Sequence, residues 1–202
     1  MTPVRKIYGF VSLKGGVGKT TSSGYFAECL RLAGRSVTGL DTDPQKGWIK
    51  WHDTGNLTYP VHEADANNLR RIVKEINGDI VIDTPPNDSR IIMNTCLLAD
   101  EIIVTVAPTA HDMARIKSTL DVIESVEESR GVELHSVLVT RLDTRKKVIN
   151  QQMLAALEEN DIAYFQNMIP SSTRFETFGP PTFVEPYQAV YQELENSNAS
   201  RS

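Results

Sequence analysis

The sequence predicts an α/β domain built on a mostly parallel, twisted sheet with helices on both faces. Three observations carry this. Apolar runs alternate with segments of helical period along most of the chain. Several of those runs, such as Ile80-Val81-Ile82 and Ile102-Ile103-Val104, are continuous rather than alternating, as in strands covered on both faces. A glycine-rich bend at Lys14–Thr21 joins the first apolar run directly to the first helical segment.

The elements follow in order. Strands are expected over Lys6–Leu13, Ser36–Asp41, Asp79–Asp83, Glu101–Val106 and Leu134–Thr140, with a short one near Tyr59–His62. Helices are expected over Thr20–Leu32, Asn67–Ile76, Ser89–Leu98, Asp112–Ser129, Lys147–Glu159 and Pro186–Glu195. Trp48 and Trp51 flank Ile49-Lys50 and pack a further short helix onto the body rather than stack on bases. Residues 1–195 then form one domain, and the small, polar residues 196–202 a frayed tail. No internal repeat or linker interrupts the chain, and nothing before Lys6 has room for a helix-turn-helix.

Composition narrows the function classes. With 40% hydrophobic and 23% charged residues among 202, the chain is an ordinary globular one. Its two cysteines, Cys29 and Cys96, lie in helical contexts without C-x-x-C spacing, which argues against a disulfide scaffold, a zinc site or a bridging metallocluster. No run reaches 18 apolar residues and the N-terminus does not read as a signal peptide, so a cytoplasmic protein is expected. A net charge of −5, taken alone, argues against a constitutive, strongly electrostatic nucleic-acid binder but leaves room for a local basic patch. His52, His62, His111 and His135 are scattered without ligand spacing and read as surface or turn residues.

The bend KGGVGKTT carries the chemistry. A strand feeding a glycine turn feeding a helix N-terminus aims backbone N–H groups and the positive end of the helix dipole at an anion. Lys19 would reach the β- and γ-phosphates of a nucleoside triphosphate and Thr20 would ligate Mg²⁺. The fold is therefore expected to be a single-domain P-loop NTPase. The usual pattern has a Gly five residues ahead of Gly18, where this chain has Leu13 followed by Lys14.

Two acidic stretches follow. Asp41-Thr42-Asp43-Pro44-Gln45 sits at the end of the second strand, where carboxylates can order the waters of Mg²⁺ or position an attacking water; the plain alternative is a turn started by Asp43-Pro44. Asp83 ends the apolar run Asp79–Asp83, where a carboxylate needs a cation or hydrogen bonds to offset its burial. Asp79 reads as a polar entrance to the same strand. Arg141, Arg145, Lys146 and Lys147 cluster at the start of a helix, and Arg174 lies in a later loop. A row of positive charge suits phosphates without regard to sequence; the alternative is a solvated helix end. Phe175, Phe178 and Phe183, among Gly and Pro, read as an apolar loop or dimer rim.

From Lys6 to about Glu195 the chain resembles the ParA/MinD superfamily of deviant P-loop ATPases, and by its short length the small plasmid-type, ParF-like partition proteins. The resemblance rests on Lys14 as signature lysine, on DTDPQ and on Asp83. It implies ATP and Mg²⁺ as ligands, bound by Lys14, Gly15, Gly16, Val17, Gly18, Lys19, Thr20 and Thr21. Lys14 would touch the phosphates of the other subunit in a nucleotide-sandwich dimer, much as an arginine finger does. Asp43 would orient the hydrolytic water and, with Thr20 and Asp83, surround the metal, with Asp41 near it. Lys14, Lys19 and Asp43 would be the catalytic set. Thr140-Arg141 and Ile169-Pro170 correspond to base-contacting loops, which makes Arg141 and Pro170 the expected base contacts and ATP the expected nucleotide. Leu142-Asp143-Thr144-Arg145 and Ile169-Pro170-x-x-x-Arg174 resemble segments that bind DNA non-specifically, which adds Arg145, Lys146, Lys147 and Arg174.

The function implied is a slow, partner-stimulated ATPase for DNA partition, dimeric with ATP, nucleoid-associated, and stimulated by a centromere-binding ParB-type protein. Alternatives are a relative that positions carboxysomes or chemoreceptor arrays and a membrane-associated MinD-like regulator. The acidic C-terminal segment Glu185–Glu195 disfavours the latter, so no membrane partner is expected.

Overall fold

The computed structural model describes residues 4–131 and 135–201. Six strands form one parallel sheet in the order β3-β2-β4-β1-β5-β6. They are β1 (Ile7–Val11), β2 (Val37–Asp41), β3 (Val61–Glu63), β4 (Asp79–Asp83), β5 (Glu101–Val106) and β6 (His135–Val139). Between and after them run α1 (Lys19–Leu32), α2 (Gly47–Asp53), α3 (Leu69–Glu75), α4 (Ser89–Leu98), α5 (Ala110–Arg130), α6 (Lys147–Glu159) and α7 (Glu185–Arg201). The expected strand Leu134–Thr140 begins at a residue outside those described.

The apolar runs explain the layers. In β1, Ile7 and Val11 face one core while Tyr8 and Phe10 face the other; in β4, Ile80 and Ile82 part from Val81 in the same way. Period-2 alternation within an all-apolar strand thus feeds two cores, which is why these strands read as continuous. One core is closed by α3 to α6 and the second, aromatic one by α1, α2 and α7. Tyr8 and Phe10 meet Phe26 edge-on, with ring centroids 5.1 and 5.5 Å apart.

The short helix α2 is fixed by its two tryptophans. Trp48 lies over Gly39 of β2 and Trp51 over Gly24 of α1, and a Cβ at Gly39 would come within 2.8 Å of the Trp48 ring. Each buried indole removes about 150–250 Å² from water, which stabilises by roughly 4–6 kcal/mol at most. That anchorage sets the end of the acidic turn Asp41–Lys46.

Two expectations are corrected. Residues 196–201 continue α7 as helix rather than fray, with Ser197 and Ser200 hydroxyls donating to the carbonyls of Glu193 and Asn196. His135 is not a simple surface residue: its Nδ1 lies 2.9 Å from both oxygens of the nearly buried Glu127. The side chain of His111 lies outside those described.

Candidate nucleotide-binding site

The carboxyl ends of β1, β2 and β4 converge on the Lys14–Thr21 bend, and α1 starts at Lys19 with Gly18 as its N-cap. Gly16 and Gly18 have φ of +79° and +82°, a region that side chains avoid, so glycine is required for the bend. A Cβ on Gly16 would meet nothing within 4 Å, leaving that face of the loop open. Val17 is buried, and its carbonyl accepts a 2.6 Å hydrogen bond from the Thr140 hydroxyl, which pins the loop to the end of β6.

Lys19 is only 6% exposed and donates to the Lys14 carbonyl at 2.9 Å. Burial lowers its pKa, and the negative charges of Asp83 and Asp43 oppose that shift. The Lys19 ammonium thus sits in the bend itself, close to both carboxylates. Asp83 is fully buried; it accepts from Thr20 Oγ1 at 2.6 Å and from Ser23 Oγ at 3.2 Å. Burial pushes its carboxyl up to about 7, against the two hydroxyl bonds and the Lys19 charge. Ser23 escaped the sequence reading, although it lies four residues beyond Lys19 on the same helical face.

Thr20 and Asp83 therefore form a hydroxyl–carboxylate pair beside a lysine. Among the described residues, no group of three or more His, Cys, Asp or Glu is arranged to hold a metal ion. A hard cation at this place would take Asp83 and Thr20 and draw its other oxygens from water and phosphate, the ordinary habit of Mg²⁺. The residues present fit that ion with a triphosphate.

Asp41 lies opposite Asp83 in the β2–β4 register and has a turn-closing role besides. It is 1% exposed, and its carboxylate accepts from the backbone N–H groups of Asp43, Trp48 and Ile49 at 3.0, 2.9 and 3.1 Å. Burial raises its pKa and these three bonds oppose the rise. Asp41 closes the acidic turn onto the start of α2 and so aims Asp43. Asp43, half-buried, accepts from Gln45 N at 2.8 Å. DTDPQ thus does form a turn, closed by Lys46 N donating to the Asp43 carbonyl at 2.8 Å.

Arg141 and Pro170 do come together. They line a cavity of about 90 Å³ with Gly18, Thr21, Phe175 and Tyr187. Phe175 packs as part of an apolar loop, its ring edge-on to Tyr25 at 5.0 Å and stacked on Phe183 at 5.3 Å, and its carbonyl accepts from Thr21 Oγ1 at 3.5 Å.

The basic loops also meet. Leu142 pairs with Pro170 in a parallel bridge, with Leu142 N donating to the Ile169 carbonyl at 3.0 Å and Ser171 N to the Leu142 carbonyl at 2.9 Å. Arg145, 88% exposed at its side chain, is clasped by Asp143 through two 2.9 Å bonds. Those bonds hold the Asp143 carboxyl down at about 2. Arg174 lies with its guanidinium 4.8 Å from the centroid of Phe183. Lys146 and Lys147 stand exposed at the N-terminus of α6, whose first turn carries no acidic residue.

Comparison with known proteins decides the family. Residues 8–178 match the model of the CobQ/CobB/MinD/ParA nucleotide-binding domain. The chain belongs to this family. Within it, the chain is 29% identical over 157 residues to the maintenance of carboxysome distribution protein A of Halothiobacillus neapolitanus, covering 73% of this chain and 71% of that one. It is 22% identical to the sporulation initiation inhibitor protein Soj of Bacillus subtilis, over 84% and 85% of the two chains. Two solved structures share the fold of this ParA/MinD-type domain at a TM-score of 0.75 and 17% identity: apo McdA of Cyanothece, over 95% of this chain and all of that one, and the cobyrinic acid a,c-diamide synthase of Mycobacterium smegmatis with bound ADP and magnesium, over 96% and 97%. Among the described residues, no helix is long and apolar enough to cross a membrane.

Proposed function

We propose that this ParA/MinD-family protein is an ATPase that dimerises on ATP and Mg²⁺, holds DNA without regard to sequence, and serves DNA partition in answer to a centromere-binding partner. The observation that carries the DNA half is the bridge between Leu142 and Pro170, which puts the Arg145 and Arg174 loops side by side. The charge at α6 supports it. Lysines at a helix N-terminus oppose the dipole, and Lys146 and Lys147 stand there without an acidic neighbour in the first turn. Such a helix start is relieved by phosphate.

In the ATPase half, Gly15, Gly16 and Gly18 would cradle the phosphates. Lys19 would neutralise charge developing on the transferred phosphoryl group, and Thr20 and Asp83 would hold Mg²⁺, which supplies Lewis-acid stabilisation of the phosphate oxygens. Asp43 would orient the attacking water, and Lys14 would act across the dimer interface on the partner's nucleotide. Arg141, Pro170 and Phe175 would receive the base. Hydrolysis would thus report dimer formation, and the protein would sit on the nucleoid only while ATP is bound.

The similarity to a carboxysome distribution protein favours a second reading, in which the same cycle positions a protein cargo. Binding to an arbitrary DNA duplex with ATP, ADP or no nucleotide, across a salt series, tests the first half of either reading. ATP-dependent binding that weakens with salt and with Arg145→Ala or Arg174→Ala is expected. Dimerisation on ATP without any DNA binding would refute the DNA assignment.

A further inference from the structure

Just beyond Thr119, whose Oγ1 accepts from Leu13 N at 3.3 Å, α5 and α6 part over a groove of about 380 Å³ whose floor is Leu120, Met153, Ala156, Leu157 and Ile162. Leu120, Met153 and Leu157 are themselves buried, so the floor is firm and apolar. Asp121 and Glu124 of α5 form one lip, preceded by Lys117. Glu128 continues the line, since steps of three and four residues keep to one helical face. Across the groove, α6 ends at Glu159-Asn160-Asp161, all exposed. Among the described residues, no hydrogen bond or ion pair engages the side chains of Asp121, Glu124 or Glu128. Nothing in the nucleotide or DNA reading uses these groups.

An apolar trough with a negative margin selects its occupant by charge. DNA and anionic lipid are repelled by it, and a trough between two helices accepts a third by ridge-into-groove packing. We infer that the α5–α6 groove docks an amphipathic helix of a partner protein, its apolar ridge on Leu120, Met153 and Leu157 and its flanking lysines or arginines on Asp121, Glu124 and Glu128. Such helices present anchors at i, i+3, i+4 and i+7. The placement on α6 suits simultaneous use of both ends. Lys146 and Lys147 stand at the start of this 13-residue helix and the acidic margin at its end, about 20 Å away, more than two Debye lengths at physiological salt. A DNA duplex at the basic end therefore neither fills the groove nor screens it from a basic partner. The chemistry of the groove is independent of the nucleotide reading.

The test uses the full chain with labelled Met and Ile methyls, titrated with an 18-residue helical peptide of Leu and Lys, leucines at i, i+3, i+4 and i+7. A Leu–Glu peptide of the same pattern and a short DNA duplex are titrated in parallel. Saturable shifts of Met153, Ile116 and Ile162 are expected with the Leu–Lys peptide, at least about tenfold weaker with Leu–Glu, and absent with DNA. The double reversal Asp121→Lys with Glu124→Lys should weaken the Leu–Lys peptide about tenfold, and Ala156→Arg should block it, while ATP binding is unchanged in both. Absent shifts at millimolar peptide, shifts centred elsewhere, equal response to Leu–Glu or to DNA, or indifference to the charge reversal would each overturn the assignment. Loss of ATP binding by wild type, with peptide binding intact, would count against the proposed ATPase and leave the groove standing.

Discussion

Asp41→Asn separates two roles that a carboxylate at the end of β2 could have. In the structure one oxygen accepts from Asp43 N at 3.0 Å and the other from Trp48 N and Ile49 N at 2.9 and 3.1 Å. Asparagine can keep one oxygen on the two α2 groups, but it then turns an NH₂ toward Asp43 N. One charge-assisted hydrogen bond is lost, about 1.5–3 kcal/mol, offset in part because a neutral amide is easier to bury than a carboxylate. The expected net loss is about 1–2 kcal/mol, or about 2–8 °C in Tm for a domain of this size. The larger effect falls on Asp43, which loses the bond that fixes its backbone. Misplacement of such a group on the scale of an ångström can cost about 100-fold, so turnover should fall roughly 10- to 100-fold while ATP affinity changes less than about threefold. Thermal melting, equilibrium nucleotide binding and single-turnover hydrolysis together decide the matter. If ATP·Mg²⁺ affinity collapses along with turnover, Asp41 holds the metal and the positioning account is wrong; if neither turnover nor melting changes, it is wrong as well.

Three further outcomes are expected. In chelator, the wild-type protein should lose stability as pH rises from about 4 towards 7, because burial raises Asp83 to about 7 and the folded state keeps a proton that the unfolded chain releases; Asp83→Asn should show a shallower fall in Tm across that window, and identical slopes would refute the assignment. Gly39→Ala, whose Cβ would lie 2.8 Å from the Trp48 ring, should destabilise by about 1–3 kcal/mol, and an unchanged denaturant midpoint would show that α2 can shift. Asp143→Asn should release Arg145 from its clasp and tighten ATP-dependent DNA binding roughly threefold, a small effect because exposed ion pairs are weak; weaker binding would mean that Asp143 instead holds Arg145 in its binding pose.

What was legible in the sequence follows from how far each signal reaches along the chain. The β4 run Asp79–Asp83 and the helix Ser89–Leu98 are found at their predicted bounds, because an apolar run and a helical period are local facts. The bend at Lys14–Thr21 was equally plain, since loop, lysine and hydroxyl are contiguous. The capping contacts of Asp41 were hidden for the opposite reason. Its partners Trp48 N and Ile49 N lie seven and eight residues on, and no spacing rule tells a carboxylate that caps the next helix from one that faces a metal. Phe175 was lost in a stretch rich in Gly and Pro, which has no period, and only the return of the chain past α1 brings it beside Gly18 and Thr21. The stretch 196–201 lacks an apolar pattern yet continues α7, because a helix already anchored by Tyr187, Val190 and Leu194 needs only propagation, not nucleation. The stripe Asp121–Glu124–Glu128 is visible as a charged helical face and would ordinarily be read as solvated. It becomes a lip only when α6 supplies the second wall, and that pairing comes from the sheet order, which sets β6 beside β5 and so α6 beside α5. The chemistry of the phosphate bend was thus written locally, whereas the contacts that aim it, and those open to a partner, arise from crossovers that no local pattern records.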